Sequence, residues 1–279
     1  MIKILKLVKL QHALFALPLT VASSVLASQG LPHPVQCFWV LVAFLMARSL
    51  GMAMNRLLDR GIDAKNPRTS HRLMAKGDLG VKALLPWLFG FLFLFVLACT
   101  RLHPLALKLF PVCLVLLLVY PMAKRFTVLA HVILGCVLAL GPIGAWVGLA
   151  GWPSEGILWF GLGVVFWVTG FDILYALQDE EFDRQEGLFS IPARFGGNTA
   201  KKIAAVSHLL VPLIWTVAFN KLGLSNWTVF GNISIFVLLL LEHILIQRGL
   251  EKNISLAFFK LNISISLLVM LIVLVDVFL

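Results

Sequence analysis

Charge is what this 279-residue chain has least of: Asp, Glu, Lys and Arg make up 13% of it, against 60% hydrophobic residues. A soluble domain carries about a quarter charged residues, so the polar surface here is too small to cover a water-soluble globule. Cysteine is also sparse. Cys37, Cys99, Cys113 and Cys136 stand singly in apolar runs, which excludes a disulfide framework and supports neither a zinc site nor a redox pair. They read as small packing residues. The chain has no internal repeat or low-complexity tract, and disorder and collagen are excluded by the same composition. Acidic residues are the rarer charge, 13 against 23 Lys and Arg, for a net charge of +10. A nucleic-acid binder would display such an excess as a basic stripe on a polar fold. Here it falls between apolar runs, as expected for the cytoplasmic loops of a membrane protein, and no nucleic-acid partner is expected.

What fills the chain instead is a series of apolar stretches about 20 residues long, the length that crosses a bilayer as a helix. Breaks at charge, Pro, Gly and Asn predict nine spans, at 11–28, 36–57, 81–100, 104–122, 128–149, 155–178, 202–221, 227–247 and 255–278. The expected fold is therefore all-α, a polytopic membrane protein with nine transmembrane helices in one domain over 1–279. Lys3, Lys6 and Lys9 before the first apolar stretch resemble the start of a signal peptide. The stretch is long for one and leads only into more membrane, so it is read as a retained helix. With the N-terminus inside, only Arg101, Lys108 and Lys221 fall at the outer ends. That asymmetry predicts a cytoplasmic N-terminus, and the lack of a transit peptide suggests the inner (plasma) membrane of a bacterium.

Two inner segments, about 58–80 and 179–201, are polar, and each follows a helix ending in acidic residues. Asn55, Asp59 and Asp63 recur every four residues and share one helical face, with Arg48 two turns earlier. Asp172, Tyr175, Asp179 and Asp183 share a face on the other helix. Placing a carboxylate within the hydrocarbon costs about 2.5–3.5 kcal/mol on insertion scales. Two such faces make sense with a cation between them, and hard oxygen ligands suit Mg²⁺. Glu180, Glu181, Glu186 and Asp78 are read as ordinary surface charges paired with nearby basic residues. Arg68, Arg72, Lys124 and Arg125 add positive charge suited to a diphosphate. For Lys124 and Arg125, a plain topology anchor is an equal reading.

At these residues the chain resembles the UbiA superfamily of intramembrane aromatic prenyltransferases. Arg48-x-x-Gly51-x-x-x-Asn55-Arg56-x-x-Asp59-x-x-x-Asp63 follows its first motif, NDxxDxxxD preceded by Arg-x-x-Gly. Asp172, Tyr175, Asp179 and Asp183 complete its second, DxxYxxxDxxxD, and the YPxxKRxT segment is intact from Tyr120 to Thr127. Arg56 stands where the family usually has Asp, and Arg72-Leu73-Met74-Ala75-Lys76-Gly77 lacks the proline of the family's Arg-Pro-Leu-x-x-Gly loop. The subgroup most resembled is the 4-hydroxybenzoate polyprenyltransferase-like one, some of whose members are assigned to the futalosine route to menaquinone.

The resemblance implies Mg²⁺ held by Asn55, Asp59 and Asp63 on one side and Asp172, Asp179 and Asp183 on the other. It also implies a polyprenyl diphosphate entering from the lipid bilayer, and transfer of its prenyl group to ring carbon of a small aromatic acid in respiratory quinone synthesis. The acceptor is 4-hydroxybenzoate or, alternatively, 1,4-dihydroxy-6-naphthoate. Tyr175 has two readings, stabilising a cation or orienting a ligand carboxylate on one side and interfacial packing on the other. Arg48 likewise pairs either an acceptor carboxylate or a neighbouring Asp. His12 matches a segment common in the subgroup, and Asn262 reads as a bridge between helices. A transporter would show repeated halves and midplane broken helices, which are not visible here. The motif of CDP-alcohol phosphotransferases is also missing.

Overall fold

The structure is a computed structural model that describes residues 2–8, 15–247 and 254–279. Its described residues are helical with no strand. The helices are α1 (Ile2–Val8), α2 (Leu17–Ser28), α3 (Pro34–Leu58), α4 (Arg60–Lys65), α5 (Val81–Thr100), α6 (Pro104–Ala123) and α7 (Ala130–Ala150), then α8 (Glu155–Ala176), α9 (Glu180–Gln185), α10 (Ile191–Phe195), α11 (Gly197–Lys221), α12 (Thr228–Gln247) and α13 (Ile254–Phe278). Eight of these are long and apolar enough to cross a membrane, and eight of the nine expected spans match them to within a few residues. The first expected span is described only in part. Its first residues, with His12, lie outside the described residues, and α2 has only 12 residues, short of the length that crosses a bilayer.

Local chemistry sets several of the boundaries. Two long helices open with the same device, His33-Pro34 for α3 and His103-Pro104 for α6. The proline supplies the helical φ at the first position, and imidazole Nδ1 accepts a hydrogen bond from the backbone N–H two residues on, Val35 at 3.3 Å and Leu105 at 3.2 Å. At its other end α3 is interrupted at Asp59. Backbone hydrogen bonds nevertheless continue across the break, from Asp59 N to Asn55 O (2.9 Å) and from Asp63 N to Asp59 O (2.7 Å). The four-residue register of the acidic motif therefore survives into α4.

The core forms around α8, which packs on α7 and α11 in one cluster that also takes in buried residues of α2, α12 and α13. Trp167 and Trp215 are fully buried, and each indole N–H is satisfied, by Asn262 Oδ1 (2.8 Å) and by the Phe160 carbonyl (3.1 Å). Asn262 also donates to Glu242 Oε1 (3.0 Å), so it joins α8, α12 and α13. The outward faces are apolar, with Phe89, Phe93 and Phe230 about 70% exposed, as required of surface that meets lipid. The protein is a multi-pass membrane protein whose short helices α4, α9 and α10 close one end of the bundle.

Glycine in α8 is what admits α11. A Cβ on Gly163 would stand 2.2 Å from Trp215 Nε1, whereas one on Gly90 would meet nothing within 4 Å. Gly163→Ala is expected to destabilise the bundle by about 1–3 kcal/mol through overpacking. Gly90→Ala is expected to be neutral or stabilising by about 0.5–1 kcal/mol through helix propensity. Thermal unfolding of the two variants in detergent checks the opposite signs.

Candidate active site

The acidic residues at the ends of α3 and α8 face each other across a cavity of about 630 Å³. Its polar end is lined by Asn55, Asp59, Asp63, Arg68, Arg72, Lys124, Asp172, Tyr175, Asp179 and Asp183. From there it runs between α3, α5, α6 and α7 along Phe44, Phe95, Phe110, Leu134 and Val137. Arg48 and Tyr120 lie where the two parts meet.

Each carboxylate has its own partner. Asp59 pairs with Arg125 Nη2 at 3.0 Å, and the same nitrogen donates to the Leu58 carbonyl at 2.7 Å, anchoring the YPxxKRxT segment onto the end of α3. Asp63 accepts from Arg72 Nη1 at 2.6 Å and lies 3.8 Å from Arg56 Nη1. Asp179 receives the Arg68 guanidinium in bidentate fashion, Nε to Oδ1 at 2.9 Å and Nη2 to Oδ2, with Asn66 Nδ2 also donating to Oδ1 at 2.9 Å. The third arm of Arg68 donates to the Tyr175 hydroxyl at 3.0 Å. Asp183 has Lys124 Nζ 3.8 Å away, and its buried Oδ1 makes no hydrogen bond. The surface carboxylates behave as expected: Arg184 pairs with Glu180 and Glu181, and Lys65 with Glu186. Asp78 differs, in that it offers Lys3 its backbone carbonyl rather than its carboxylate.

Asp172 is held differently. Ile191 N–H donates to His131 Nε2 (3.2 Å), which assigns the ring proton to Nδ1, and Nδ1 in turn donates to Asp172 Oδ2 at 2.6 Å. This carboxylate is therefore held by an imidazole, unlike the other four, whose partners are guanidinium or ammonium groups.

Among the described residues, no three His, Cys, Asp or Glu side chains are grouped as a metal site, and arginine and lysine side chains pair with Asp59, Asp63, Asp179 and Asp183. Three residues of the site escaped the sequence reading. His131 is one apolar-helix histidine among several, and Asn66 carries only the turn signal of Asn-Pro. Arg56 registers as a lost carboxylate, whereas it is a buried cation hydrogen-bonded to Asn55 Oδ1 at 3.4 Å.

A model of the UbiA prenyltransferase family matches residues 16–264. The chain belongs to the UbiA prenyltransferase family. Its relatives include the 4-hydroxybenzoate octaprenyltransferase of Vibrio parahaemolyticus, 31% identical over 78% of each chain. The mitochondrial 4-hydroxybenzoate polyprenyltransferase of Schizosaccharomyces pombe is 32% identical over 62% of this chain, and the match spans about half (49%) of that longer protein. Among solved UbiA structures, the apo homologue from Aeropyrum pernix K1 superposes with a TM-score of 0.84 at 27% identity, covering 96% of this chain and 98% of that one. The Archaeoglobus fulgidus homologue bound to GPP and Mg²⁺ has the same fold, with a TM-score of 0.71 at 18% identity and coverage of 98% and 99%.

Arg68 and Asp59 are among the side chains at this end whose pKa values are displaced. Burial penalises the charged guanidinium of Arg68, but its hydrogen bonds to Asp179 and Tyr175 and the Asp179 charge outweigh that, and its pKa rises. For Asp59, burial raises the pKa above the usual carboxylate range, against the opposing pull of Arg125 and Lys124. The folded state thus binds this proton more tightly than the unfolded chain. Stability from this group increases as pH falls from above the folded pKa toward the ordinary value of about 3.9. Asp59→Asn is expected to lack that contribution. Comparing thermal unfolding of wild type and variant at about pH 7 and about pH 5 checks the sign.

Proposed function

We propose that the chain transfers a polyprenyl group from polyprenyl diphosphate to a ring carbon of a small aromatic acid, 4-hydroxybenzoate, in respiratory quinone synthesis. One observation carries the reading: a single cavity joins a charged end, where both acidic motifs meet Arg56, Arg68, Arg72 and Lys124, to an apolar channel between membrane-spanning helices. A prenyl diphosphate has that same division of charge and hydrocarbon. The names of the curated relatives support the acceptor.

Mg²⁺ fits the donors present. They are hard oxygens, and Asp183 Oδ1 is buried with no hydrogen bond, an orphaned lone pair suited to a cation. Mg²⁺ commonly takes one or two carboxylates and completes its shell with water and phosphate oxygens, so the absence of a three-residue cluster is compatible with it. Asn55, Asp59 and Asp63 on one wall and Asp172, Asp179 and Asp183 on the other would hold it, and the Mg²⁺ of the A. fulgidus homologue supports the assignment. When bound, Mg²⁺ supplies Lewis-acid stabilisation of charge on the departing diphosphate.

The protein's own groups do the rest. Arg68, Arg72, Lys124 and Arg125 bind the phosphate oxygens and stabilise the negative charge that develops as the C–O bond breaks. Tyr175, held by Arg68, turns its ring toward the allylic cation. The apolar walls exclude the water that would quench it. Arg48, deep in the cavity with its Nε buried and unpartnered, is placed to pair the acceptor carboxylate. The acceptor ring carbon then bonds to the cation, and the ring proton is lost. Because Lys and Arg cluster at the acidic end, we place that end at the cytoplasmic face of the inner (plasma) membrane.

Asp59→Asn and Asp179→Asn are each expected to lower product formation by at least about a hundredfold, while eluting like wild type in size exclusion. Full activity in either variant sinks the assignment. The assay supplies Mg²⁺, a polyprenyl diphosphate and either 4-hydroxybenzoate or 1,4-dihydroxy-6-naphthoate, with the product detected by mass. Prenylation of the naphthoate alone would overturn the acceptor while leaving the reaction class in place.

A further inference from the structure

We propose that Arg68 is a placeholder for the metal at Asp179, so that divalent cation and diphosphate enter this site only as a pair. The inference rests on the diphosphate reading above and concerns how that site is loaded.

Asp179 accepts three hydrogen bonds from two side chains. Oδ1 accepts from Arg68 Nε and from Asn66 Nδ2, both at 2.9 Å, and Oδ2 accepts from Arg68 Nη2. The fork–fork geometry is the strongest that Arg and carboxylate make. The arrangement is also rigid. Asn66 Oδ1 accepts the backbone N–H of Arg68 at 2.8 Å, and the Arg68 guanidinium lies over the Tyr175 ring, 5.1 Å from its centroid. A cation approaching Asp179 alone must displace a guanidinium that is only 31% exposed, leaving buried positive charge beside a new positive ion. A diphosphate arriving alone must add negative charge next to five carboxylates. Both events are unfavourable where water is largely excluded.

The pair avoids both penalties. Asp179 passes from Arg68 to the metal, Arg68 passes from Asp179 to a phosphate oxygen, and no charge is left unpaired. The same exchange is available on the opposite wall, where Arg72 and Arg125 hold Asp63 and Asp59. The five carboxylates already balance Arg56, Arg68, Arg72, Lys124 and Arg125. Only a ligand whose own charges nearly cancel keeps that balance.

The test uses the full chain in nanodiscs. Isothermal titration measures MgCl₂ alone, sodium diphosphate alone, and each in the presence of the other. In wild type, saturating diphosphate is expected to tighten Mg²⁺ about tenfold or more, with the reciprocal effect required by linkage. Arg68→Met removes the placeholder. It is expected to tighten Mg²⁺ alone by several-fold, to weaken diphosphate, and to shrink the coupling. Mg²⁺ affinity that is unchanged or weaker in a well-folded Arg68→Met protein would overturn the exchange. If that variant does not fold, wild type decides, since independent binding of the two ions also overturns it. Folded wild type that binds neither ion in any combination would instead overturn the diphosphate reading itself.

Discussion

Burying charge at the end of an apolar bundle is the constraint on which the rest of this structure depends. Asp59, Asp63, Asp179 and Asp183 are all nearly inaccessible, and each would be prohibitive there without a counter-charge. The chain meets the requirement with cations from three separate segments. Arg68 and Arg72 follow α4, Lys124 and Arg125 close α6, and Arg56 comes from within α3. Each ion pair is therefore also a tether. Arg68 to Asp179 fastens the segment after α4 to the end of α8, and Arg125 to Asp59 fastens the end of α6 to the end of α3. Removing either partner would leave a buried charge exposed to that cost, and would loosen two segments at once.

The opposite requirement governs the membrane-spanning part, where the tethers are steric and polar rather than ionic. Gly163 and Gly170 bring α8 against Trp215 and His208 more closely than any side chain would permit. Small residues at such contacts are how helices gain packing where lipid provides no hydrophobic drive. Asn262 then fixes register by satisfying Trp167 and Glu242 together. α8 carries Asp172 and Tyr175 into the cavity, with Asp179 in the short turn that follows it, so the packing of this helix sets the position of the chemistry.

Much of this was legible in the sequence because it is periodic. Twenty-residue apolar runs announce helices that must satisfy their own backbones in lipid, and eight of them lie where hydropathy places them. The first acidic motif was legible because four-residue spacing survives the break at Asp59, whose backbone hydrogen bonds continue through the interruption. The pairings were not legible. Nothing local to Asn66 marks Asp179 as its partner, 113 positions away, and nothing in the apolar run around His131 marks Asp172, 41 positions on. Such contacts are chosen by helix packing, which a single sequence does not display. The first expected span, 11–28, begins outside the described residues, and the helix described within it is α2.

Arg56 shows most clearly how the parts depend on one another. Set against the motif NDxxDxxxD it is a missing ligand, and its position suggests a weakened site. In the structure it hydrogen-bonds to Asn55 and approaches Asp63, which already accepts from Arg72. Replacing a carboxylate by a guanidinium there removes one negative charge and adds one positive charge beside Asp63. That leaves carboxylates and cations equal in number around the cavity end, with Arg48 a further cation deeper in. With charges this nearly matched in number, the site favours neither a bare metal ion nor a bare diphosphate. Selectivity for a ligand carrying both therefore follows from the residue that looks, in the sequence alone, like a defect.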